Sequence, residues 1–456
     1  MMWANLDSVY FVGIGGIGMS ALARYFQVRG KNVAGYDRTS TSLTDQLTRE
    51  GIDIHFNDSV QLITEEFKDP ERTLVIYTPA IPEGHHELAY FRKRGFRVIK
   101  RSAALGEVFN AGRGIAVAGT HGKTSVSTMI AYLFSQSKHG CNAFLGGISK
   151  NFSSNLIMHP TSEYIIAEAD EYDRSFLALF PDIAVVTSMD SDHLDIYGTK
   201  EKLVEGFEAF IAQVQDKGKL ILKYGLLPGI PDHVEVLTYS LDNQEADYHL
   251  VSREVKDGYY HFTVRTPNDL LVTSLGIPGL VNVENILAAI AVADQEGIPL
   301  DQIAAACKTF KGVKRRFDVQ VMNERRIYID DYAHHPQELS AFISSVRELY
   351  PGKRITGIFQ PHLYSRTRDF ADGFAESLSM LDELILLDIY PAREEPIPGV
   401  TSQMILDKVC IHEKVLISPE QFMRVLEERD PELLLTMGAG DIDRLVDPLK
   451  SWMEKK

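Results

Sequence analysis

The sequence has few cysteines, no long apolar run and no excess of basic residues. Cys141, Cys307 and Cys410 are scattered and odd in number, which argues against a disulfide framework and a cysteine zinc site. No apolar run approaches the ~18 residues of a membrane span, and the first residues lack the pattern of a signal peptide. The formal net charge of -16 disfavours a general nucleic-acid-binding protein. We therefore expect a cytoplasmic protein with no membrane or nucleic-acid partner.

Strand-like and helix-like segments alternate along almost all of the 456 residues, a pattern typical of α/β proteins with parallel sheets. Short alternating runs between about 235 and 275 predict an antiparallel excursion. The length predicts about three domains, and the pattern places a first boundary near 105 and a possible linker at 310–319.

The stretch GIAVAGTHGKTSVSTMIAYLF, from Gly114 to Phe134, reads as a buried strand, a sharp turn and a helix. Its glycines allow backbone N–H groups to surround an anion at a helix N-terminus. A complete phosphate-loop motif would need glycine at 117, where the chain has Val117, so the loop is a shortened relative. The alternative is an ordinary strand–helix turn with a surface lysine. The predicted ATP-binding residues are Gly119, Thr120, Gly122, Lys123, Thr124 and Ser125.

A second glycine loop, G-x-G-x-x-G, follows the first strand-like segment, and Asp37 ends the next one. Alone, this pattern favours NAD binding. It is also typical of a tight turn that allows close helix–sheet packing, or of a loop that binds the diphosphate of another nucleotide. A hydride-transfer enzyme has no use for a second loop carrying lysine and threonine. A ligase that joins a nucleotide-linked substrate to another molecule at the expense of ATP would use both. The loop residues are Gly13, Gly15, Gly16 and Gly18.

Acidic residues follow two further strand-like segments. Glu168, Asp170 and Glu171 come after the first, and Asp190 and His193 are among those after the second. The carboxyl ends of parallel strands share one rim with the phosphate loop, and oxygen ligands suit Mg²⁺. The sequence therefore predicts a magnesium site, although acids at strand ends commonly only solvate loops.

The last third of the chain carries histidines and arginines just after strand-like segments. One group follows IDDYAHH, and the other, with Arg366 and Arg368, follows FQPH. Two arginines on a loop can face one anion, but such residues are more often solvated. The basic stretch 314–316 is either a solvated hinge or a segment that reaches a phosphate.

Taken together, these motifs are more specific than any one of them. FVGIGGIGMSALA, GTHGKTS, EADEYDRSFL, DSDHLDIYG, GVKRRFDV, DDYAHHPQEL, FQPHLYSRTRDF and YPAREEPIPGV occur in this order over nearly the whole chain. In this set the chain resembles the Mur ligases of peptidoglycan synthesis. The resemblance implies an ATP- and Mg²⁺-dependent ligase that joins L-alanine to the carboxylate of UDP-N-acetylmuramate through an acyl phosphate.

The resemblance implies a Rossmann-like domain over 1–105 that holds the UDP-sugar rather than NAD, and a central P-loop ATPase-type domain with the antiparallel excursion over 106–313. It also implies a C-terminal Rossmann-like domain over 314–456 that closes over the active site.

The resemblance also implies roles for single residues. The UDP-sugar loop would comprise Gly13, Gly15, Gly16, Gly18, Met19 and Asp37. Further substrate contacts would come from His121, Tyr332, His334, Arg366 and Arg368. Metal ligands would be Thr124, Glu168 and His193. Catalytic residues would be Lys123, His121, Arg316, His334, His335 and Arg366. Further ATP contacts would come from Asn282, Asn285, Arg316 and Asp331.

The chain departs from the family at one motif. Where the family usually has G-x-H-N-x-x-N, Val281 replaces the histidine, so any stacking of that histidine on adenine is lost or supplied elsewhere.

Several alternatives stay open at this point. They are a sister ligase that attaches a recycled peptide to the same sugar nucleotide, a folylpolyglutamate synthetase, an NAD-dependent dehydrogenase and a non-enzymatic nucleotide-binding regulator. We expect a monomer or weak homodimer.

Overall fold

The computed structural model of the chain describes residues 5–190, 197, 199–392, 394–418 and 421–455. Within these ranges the chain forms three sheets, and no helix is both long and apolar enough to cross a membrane.

The first sheet is parallel throughout. Its strands are β1 (Ser8–Val12), β2 (Asn32–Tyr36), β3 (Asp53–His55), β4 (Thr73–Tyr77) and β5 (Arg97–Lys100). The spatial order is β3-β2-β1-β4-β5, so β2 and β3 lie on one side of β1, and β4 and β5 lie on the other. In such a sheet the expected ligand position is the crevice beyond the carboxyl end of β1, where the order of the strands reverses. Its helices are Ile17–Val28, Ser42–Arg49, His86–Lys93 and Arg101–Phe109, with 3₁₀ turns at Val60–Leu62 and Glu65–Phe67.

The second sheet has ten strands. They are β6 (Arg113–Ala118), β7 (Asn142–Ser149), β8 (Ser154–Ile157), β9 (Tyr164–Glu168), β10 (Ile183–Val186), β11 (Lys219–Lys223), β12 (Glu235–Ser240), β13 (Tyr248–Lys256), β14 (Tyr259–Arg265) and β15 (Leu270–Ser274). The spatial order is β15-β14-β13-β12-β11-β10-β6-β9-β7-β8. The helices are Lys123–Ser135, Lys200–Ile211, Leu280–Gln295 and Leu300–Thr309, with a 3₁₀ segment at Tyr172–Ala178.

The antiparallel excursion is shorter than predicted. The start of the predicted interval forms β12, which pairs in parallel with β11. The connection from β13 to β14 is the two-residue turn Asp257-Gly258, with φ of 54° and 80°. Two successive residues with positive φ form the type I′ turn that joins antiparallel strands. The excursion therefore begins only at β13.

The third sheet is parallel except at one edge. Its strands are β16 (Asp318–Met322), β17 (Ile327–Asp331), β18 (Ile355–Phe359), β19 (Glu383–Leu386), β20 (Glu413–Leu416) and β21 (Leu433–Met437). The order is β16-β17-β21-β18-β19-β20, and β16 pairs antiparallel with β17. The helices are Pro336–Leu349, Tyr364–Asp369, Ala371–Leu378, Gln403–Lys408, Phe422–Arg429 and Val446–Lys455, with a 3₁₀ segment at Asp441–Leu445.

The central strands are buried along their whole length because helices cover both faces of a parallel sheet. All five residues of β1 and all five of β21 are buried. The predicted three-domain α/β class is confirmed. The boundaries predicted at 105 and 313 stay predictions.

Over its described residues the chain divides into two compact units. The first comprises Met1–Val251, Val264–Leu271 and Asn285–Cys307, and the second comprises Ser252–Thr263, Val272–Glu284 and Lys308–Lys456. In the first unit, side chains from the first two sheets pack into one hydrophobic cluster. The second unit has a cluster of its own.

Candidate active site

The predicted phosphate loop lies between β6 and the helix Lys123–Ser135. Gly119 and Gly122 have φ of 137° and 83°, values that L-residues rarely adopt. A Cβ on Gly119 would lie 2.1 Å from Thr187 Oγ1, so the neighbouring strand leaves room only for glycine. Gly122 is the N-cap of the helix, and the N–H groups of the first helical turn are therefore available to an anion.

Lys123 folds back across this loop. Its Nζ donates to the carbonyl oxygen of Gly119 at 2.6 Å and to both carboxylate oxygens of Glu171 at 2.9 and 2.8 Å. Glu171 is fully buried. Burial by itself lowers the pKa of Lys123, but the carboxylates of Glu171, Asp170 and Glu168 raise it above its ordinary value. The lysine is therefore a fixed ammonium with a carboxylate partner.

Glu168 lies against the start of the same helix. Its Oε1 accepts from the backbone N of Gly146 at 3.0 Å and from Ser127 Oγ at 3.4 Å. A Cβ on Gly146 would lie 2.3 Å from Glu168 Oε2, so this glycine makes room for the carboxylate. Thr124 and Ser125, 7% and 9% exposed, lie in the first turn of the helix.

Mg²⁺ is implied by the resemblance. His193 lies outside the described residues, and the described part of the chain holds no group of three or more His, Cys, Asp or Glu side chains that could bind a metal by itself. The carboxylate of Glu168 and the hydroxyl of Thr124 are hard oxygen donors, the type that Mg²⁺ combines with phosphate oxygens. The donor chemistry therefore fits a magnesium ion held together with a nucleotide.

Residues that follow β10 hold the phosphate loop in place through hydrogen bonds. Ser188 Oγ accepts from the backbone N of His121 at 2.8 Å and lies 2.9 Å from Thr120 Oγ1. Thr120 Oγ1 accepts from Asp190 N at 3.1 Å, and Asp190 Oδ2 lies 3.8 Å from His121 Nε2. The sequence prediction missed Ser188, although hydroxyl residues at the end of a strand beside a glycine loop were a readable signal.

The acids after β9 and β10 meet the phosphate loop, as predicted for strand ends at one rim. Glu171 binds Lys123, and Asp190 faces His121. Asp170 pairs instead with Arg101, at 3.5 Å.

Both predicted adenine-binding asparagines lie at the start of the helix Leu280–Gln295. Asn285 Oδ1 lies 2.9 Å from the position a Cβ on Gly122 would take, which places Asn285 beside the phosphate loop. Asn282 donates its Nδ2 to the carbonyl of Pro278 at 2.6 Å. One of the two side-chain N–H donors of Asn282 is therefore used in the turn that begins the helix.

The first glycine loop follows β1 at the switch point of the first sheet. Gly13 has φ of 89°, and Gly16 is the N-cap of Ile17–Val28. Asp37 accepts from the backbone N of Gly15 at 2.7 Å, which orders the loop from the end of β2. A Cβ on Gly18 would lie 2.9 Å from the guanidinium of Arg101. Met19, 1% exposed, packs in the core of this unit.

In the second unit, His334 and His335 have different surroundings. His335 is the N-cap of Pro336–Leu349, with its Nδ1 accepting from Gln337 N at 3.4 Å. His334 Nδ1 lies 3.0 Å from the carbonyl oxygen of Tyr332. Because a carbonyl only accepts, Nδ1 carries the proton and Nε2 carries the lone pair of the neutral ring. Of the two histidines, His334 has the geometry of a base.

The interpretation in which Arg366 and Arg368 lie on a loop, where both could face one anion, is wrong. Both lie in the helix Tyr364–Asp369, where residues two apart point about 200° apart around the axis. Arg366 is 9% exposed. Arg368 is exposed and pairs with Asp369 at 2.7 Å. Only Arg366 is held inside the unit.

Tyr332 and the linker arginines form a stacked group. The guanidinium carbons of Arg315 and Arg316 lie 5.3 and 4.9 Å from the centroid of the Tyr332 ring. Asp331 accepts from the backbone N of Phe317 and of Ala333, both at 2.7 Å. The linker arginines therefore contact the protein and are not a solvated hinge.

Three family models match consecutive parts of the chain. They are described as the Mur ligase family catalytic domain over residues 8–113, the Mur ligase middle domain over 117–293, and the Mur ligase glutamate ligase domain over 315–440.

Similar proteins and structures span nearly the whole chain. The UDP-N-acetylmuramate–L-alanine ligases of Porphyromonas gingivalis and Parabacteroides distasonis are 51% and 52% identical, over 98% and 99% of this chain and 99% and 98% of theirs. The crystal structure of the UDP-N-acetylmuramate-alanine ligase of Thermotoga maritima superposes with a TM-score of 0.83 at 25% identity, covering 98% of this chain and 100% of the other. A murein peptide ligase of Psychrobacter arcticus shares the fold, with a TM-score of 0.72 at 20% identity over 98% of both chains. With two glycine loops, an acid-lined phosphate loop and this full-length similarity, the chain belongs to the Mur ligase family.

Proposed function

We propose that the chain is an ATP-dependent ligase that joins L-alanine to the carboxylate of UDP-N-acetylmuramate in peptidoglycan precursor synthesis. Relatives about half identical over nearly the full length carry this activity in their names. The observation that carries the proposal is the pair of glycine loops in one compact unit, Gly13–Gly18 and Gly119–Thr124. We assign the first to the sugar nucleotide and the second to ATP. A dehydrogenase is set aside because the family is one of ligases.

The reaction needs an activated carboxylate because a free carboxylate has no usable leaving group. In the proposed mechanism the muramate carboxylate attacks the γ-phosphorus of ATP, and ADP leaves. The amine of L-alanine then attacks the carbonyl carbon of the acyl phosphate, and inorganic phosphate leaves with the bonding electron pair. The site contributes mainly positioning and charge stabilisation.

Lys123 binds the β- and γ-phosphates in this proposal, exchanging the Glu171 carboxylate for phosphate oxygens. The first-turn N–H groups of its helix and the side chains of Arg316 and Asp331 provide further contacts to ATP. Cationic and N–H donors offset the charge that develops on the transferred phosphoryl group.

Thr124 and Glu168 would hold Mg²⁺, with His193 as a further ligand. When bound, the ion neutralises phosphate charge and orients the γ-phosphoryl group. Ser127 and the backbone N of Gly146 hold the Glu168 carboxylate in position for this role.

The alanine amine must lose a proton to attack, and we propose His334 Nε2 as the acceptor. Tyr332 holds the ring through its carbonyl, so the side chain is oriented before substrate binds. Arg366 would face the carboxylate of a substrate.

We further propose a cytoplasmic monomer or weak homodimer. The cytoplasm supplies ATP, and no disulfide joins any two of the three cysteines, which suits a reducing compartment. Sedimentation at micromolar concentration tests the oligomeric state.

Phosphate release tests the function directly. The purified chain is incubated with ATP, Mg²⁺ and UDP-N-acetylmuramate while the twenty amino acids and an L-alanyl peptide are varied one at a time. We expect the highest kcat/KM with L-alanine. A higher value with the peptide would indicate the sister ligase, and ATP binding without phosphate release would indicate a regulator.

A further inference from the structure

The linker before β16 has an unusual backbone. Arg315 and Phe317 have φ of 62° and 45°, in the left-handed region that residues with a Cβ seldom enter. Two such residues within three positions persist only where surrounding groups hold them in place.

Arg315 is held from both its backbone and its side chain. Its N donates to Asp318 Oδ2 at 3.1 Å, and its carbonyl oxygen accepts from Tyr332 N at 2.8 Å. Its Nε donates to Asp330 Oδ2 at 3.2 Å, and its Nη2 donates to the carbonyl oxygen of Gly438 at 2.7 Å. The guanidinium thus connects the linker to the ends of β17 and β21.

The carboxylate that receives Arg315 is part of the protein core. Asp330 is fully buried, and its Oδ1 accepts from Thr436 Oγ1 at 2.6 Å. A buried carboxylate with a fixed second partner cannot move to follow a mobile arginine. The position of the linker is therefore set by the sheet.

The residues next to Arg315 and Asp330 along the chain are those proposed to contact ATP. Arg316 stacks on the ring of Tyr332, and Asp331 accepts from the backbone N of Phe317. Arg315, which is half-buried, and the fully buried Asp330 bind each other. One turn therefore fixes both proposed ATP contacts at once.

We propose that Arg315 is a positioning residue, whose ion pair with Asp330 and bond to Gly438 hold the linker turn so that Arg316 and Asp331 are presented to the nucleotide. This inference rests on the proposed function for the roles of Arg316 and Asp331. Arg315 makes no contact with ATP in this scheme. It acts through the two neighbouring side chains.

The same unit contains a matched control. Arg326, 2% exposed, is ion-paired with Asp430, and its guanidinium lies 4.9 Å from the Trp452 ring centroid. It is thus another arginine–aspartate pair in this unit, but its neighbours along the chain carry no proposed role. A purely structural contribution of Arg315 would be reproduced at Arg326.

The experiment compares Arg315→Met, Arg315→Lys and Arg326→Met with the wild-type chain. A titration with fluorescent trinitrophenyl-ATP gives the nucleotide affinity. Steady-state assays give kcat and the KM values for ATP and for UDP-N-acetylmuramate, and thermal melting gives the stability. We expect Arg315→Met to raise the KM for ATP and the Kd of the analogue at least tenfold. The KM for UDP-N-acetylmuramate should stay within twofold, and Arg315→Lys should recover part of the loss. Arg326→Met should lower the melting temperature and leave both KM values unchanged.

Arg315→Gly covers the case in which Arg315→Met does not fold. Glycine adopts the left-handed conformation without strain, so this variant removes the side-chain contacts alone. Unchanged nucleotide affinity in Arg315→Gly or in a folded Arg315→Met overturns the inference. So does an equal loss in Arg326→Met, or a wild-type chain that does not bind the analogue. If the wild-type chain binds the analogue but releases no phosphate with UDP-N-acetylmuramate and L-alanine, the proposed function fails, and the titration still decides the role of Arg315.

Discussion

At the scale of single residues, two buried carboxyl groups are accommodated in different ways, one by an ion pair and the other by a raised pKa. Glu171 is fully buried and pairs with the ammonium of Lys123. Glu87 is also fully buried, but burial raises the pKa of Glu87 to about 7. A buried charge needs a partner, whereas a neutral acid needs only hydrogen bonds. The two sites therefore respond differently to mutation and to pH.

Replacing Lys123 with Met removes the phosphate contact and leaves the Glu171 carboxylate buried without its cation. We expect turnover to fall at least about a thousandfold and stability to fall by roughly 3–5 kcal/mol. Adding Glu171→Gln should restore much of the stability but none of the turnover. Urea unfolding and phosphate release measure the two effects. Near-normal activity in Lys123→Met would remove the phosphate-loop assignment.

Glu87 makes stability depend on pH. Tyr10 Oη and Ser59 N donate to it at 2.8 and 3.1 Å, and its pKa rises from 4.5 to about 7 in the folded chain. Between these values the unfolded carboxyl group is ionised and the folded one is protonated, so stability falls as pH rises and levels off above about 7.

Glu87→Gln should flatten this dependence, because an amide has no proton to lose in this range. We expect it to stabilise the chain at pH 8 by up to about 3 kcal/mol and to have little effect at pH 4.5. Urea unfolding at the two pH values checks this. The same pH dependence in both proteins would show that Glu87 is not the responsible group.

At the scale of elements, the sequence predicted what local pattern determines. The apolar strands, the two glycine loops and the acids at strand ends were readable because parallel strands place their carboxyl ends at one rim. The sequence did not predict the helix Tyr364–Asp369, in which Arg366 and Arg368 point in different directions. Six residues without capping side chains carry little periodic signal. The Lys123–Glu171 pair and the contacts of Arg315 were also hidden, because they join residues 15 to 123 positions apart.

The two adjacent histidines that precede the helix Pro336–Leu349 are expected to have different roles. His335 caps the helix through Nδ1, a role that asparagine can take over. We expect His335→Asn to keep kcat within about threefold and stability within about 1 kcal/mol. His334→Asn should lower kcat at least about a hundredfold at neutral pH with unchanged melting temperature. Assays of both variants across pH 6 to 9 test this, and the reverse ranking would assign the base to His335.

At the scale of the whole molecule, two compact units carry the three family domains. The first two sheets share a cluster, and buried Asn155 of β8 donates to Ile17 O and Ser20 Oγ in the first helix at 2.6 and 2.9 Å. These contacts link the sheets within the first unit. We infer that they unfold together.

We expect Asn155→Ala, which removes the bonds to the first helix, to lower the melting temperature of the chain by several degrees, given about 1–3 kcal/mol for the lost bonds. Calorimetry measures this shift. An unchanged melting temperature in Asn155→Ala would show that these bonds contribute little to linking the two sheets.

The ammonium of Lys123 has two good acceptors within the chain, the Glu171 carboxylate and the Gly119 carbonyl. In the proposed function, nucleotide capture is therefore an exchange reaction, and its net free energy is the difference between two sets of contacts made by one cation. We expect a polyphosphate chain, which can also engage the helix N–H groups, to compete for this ammonium better than a lone monophosphate.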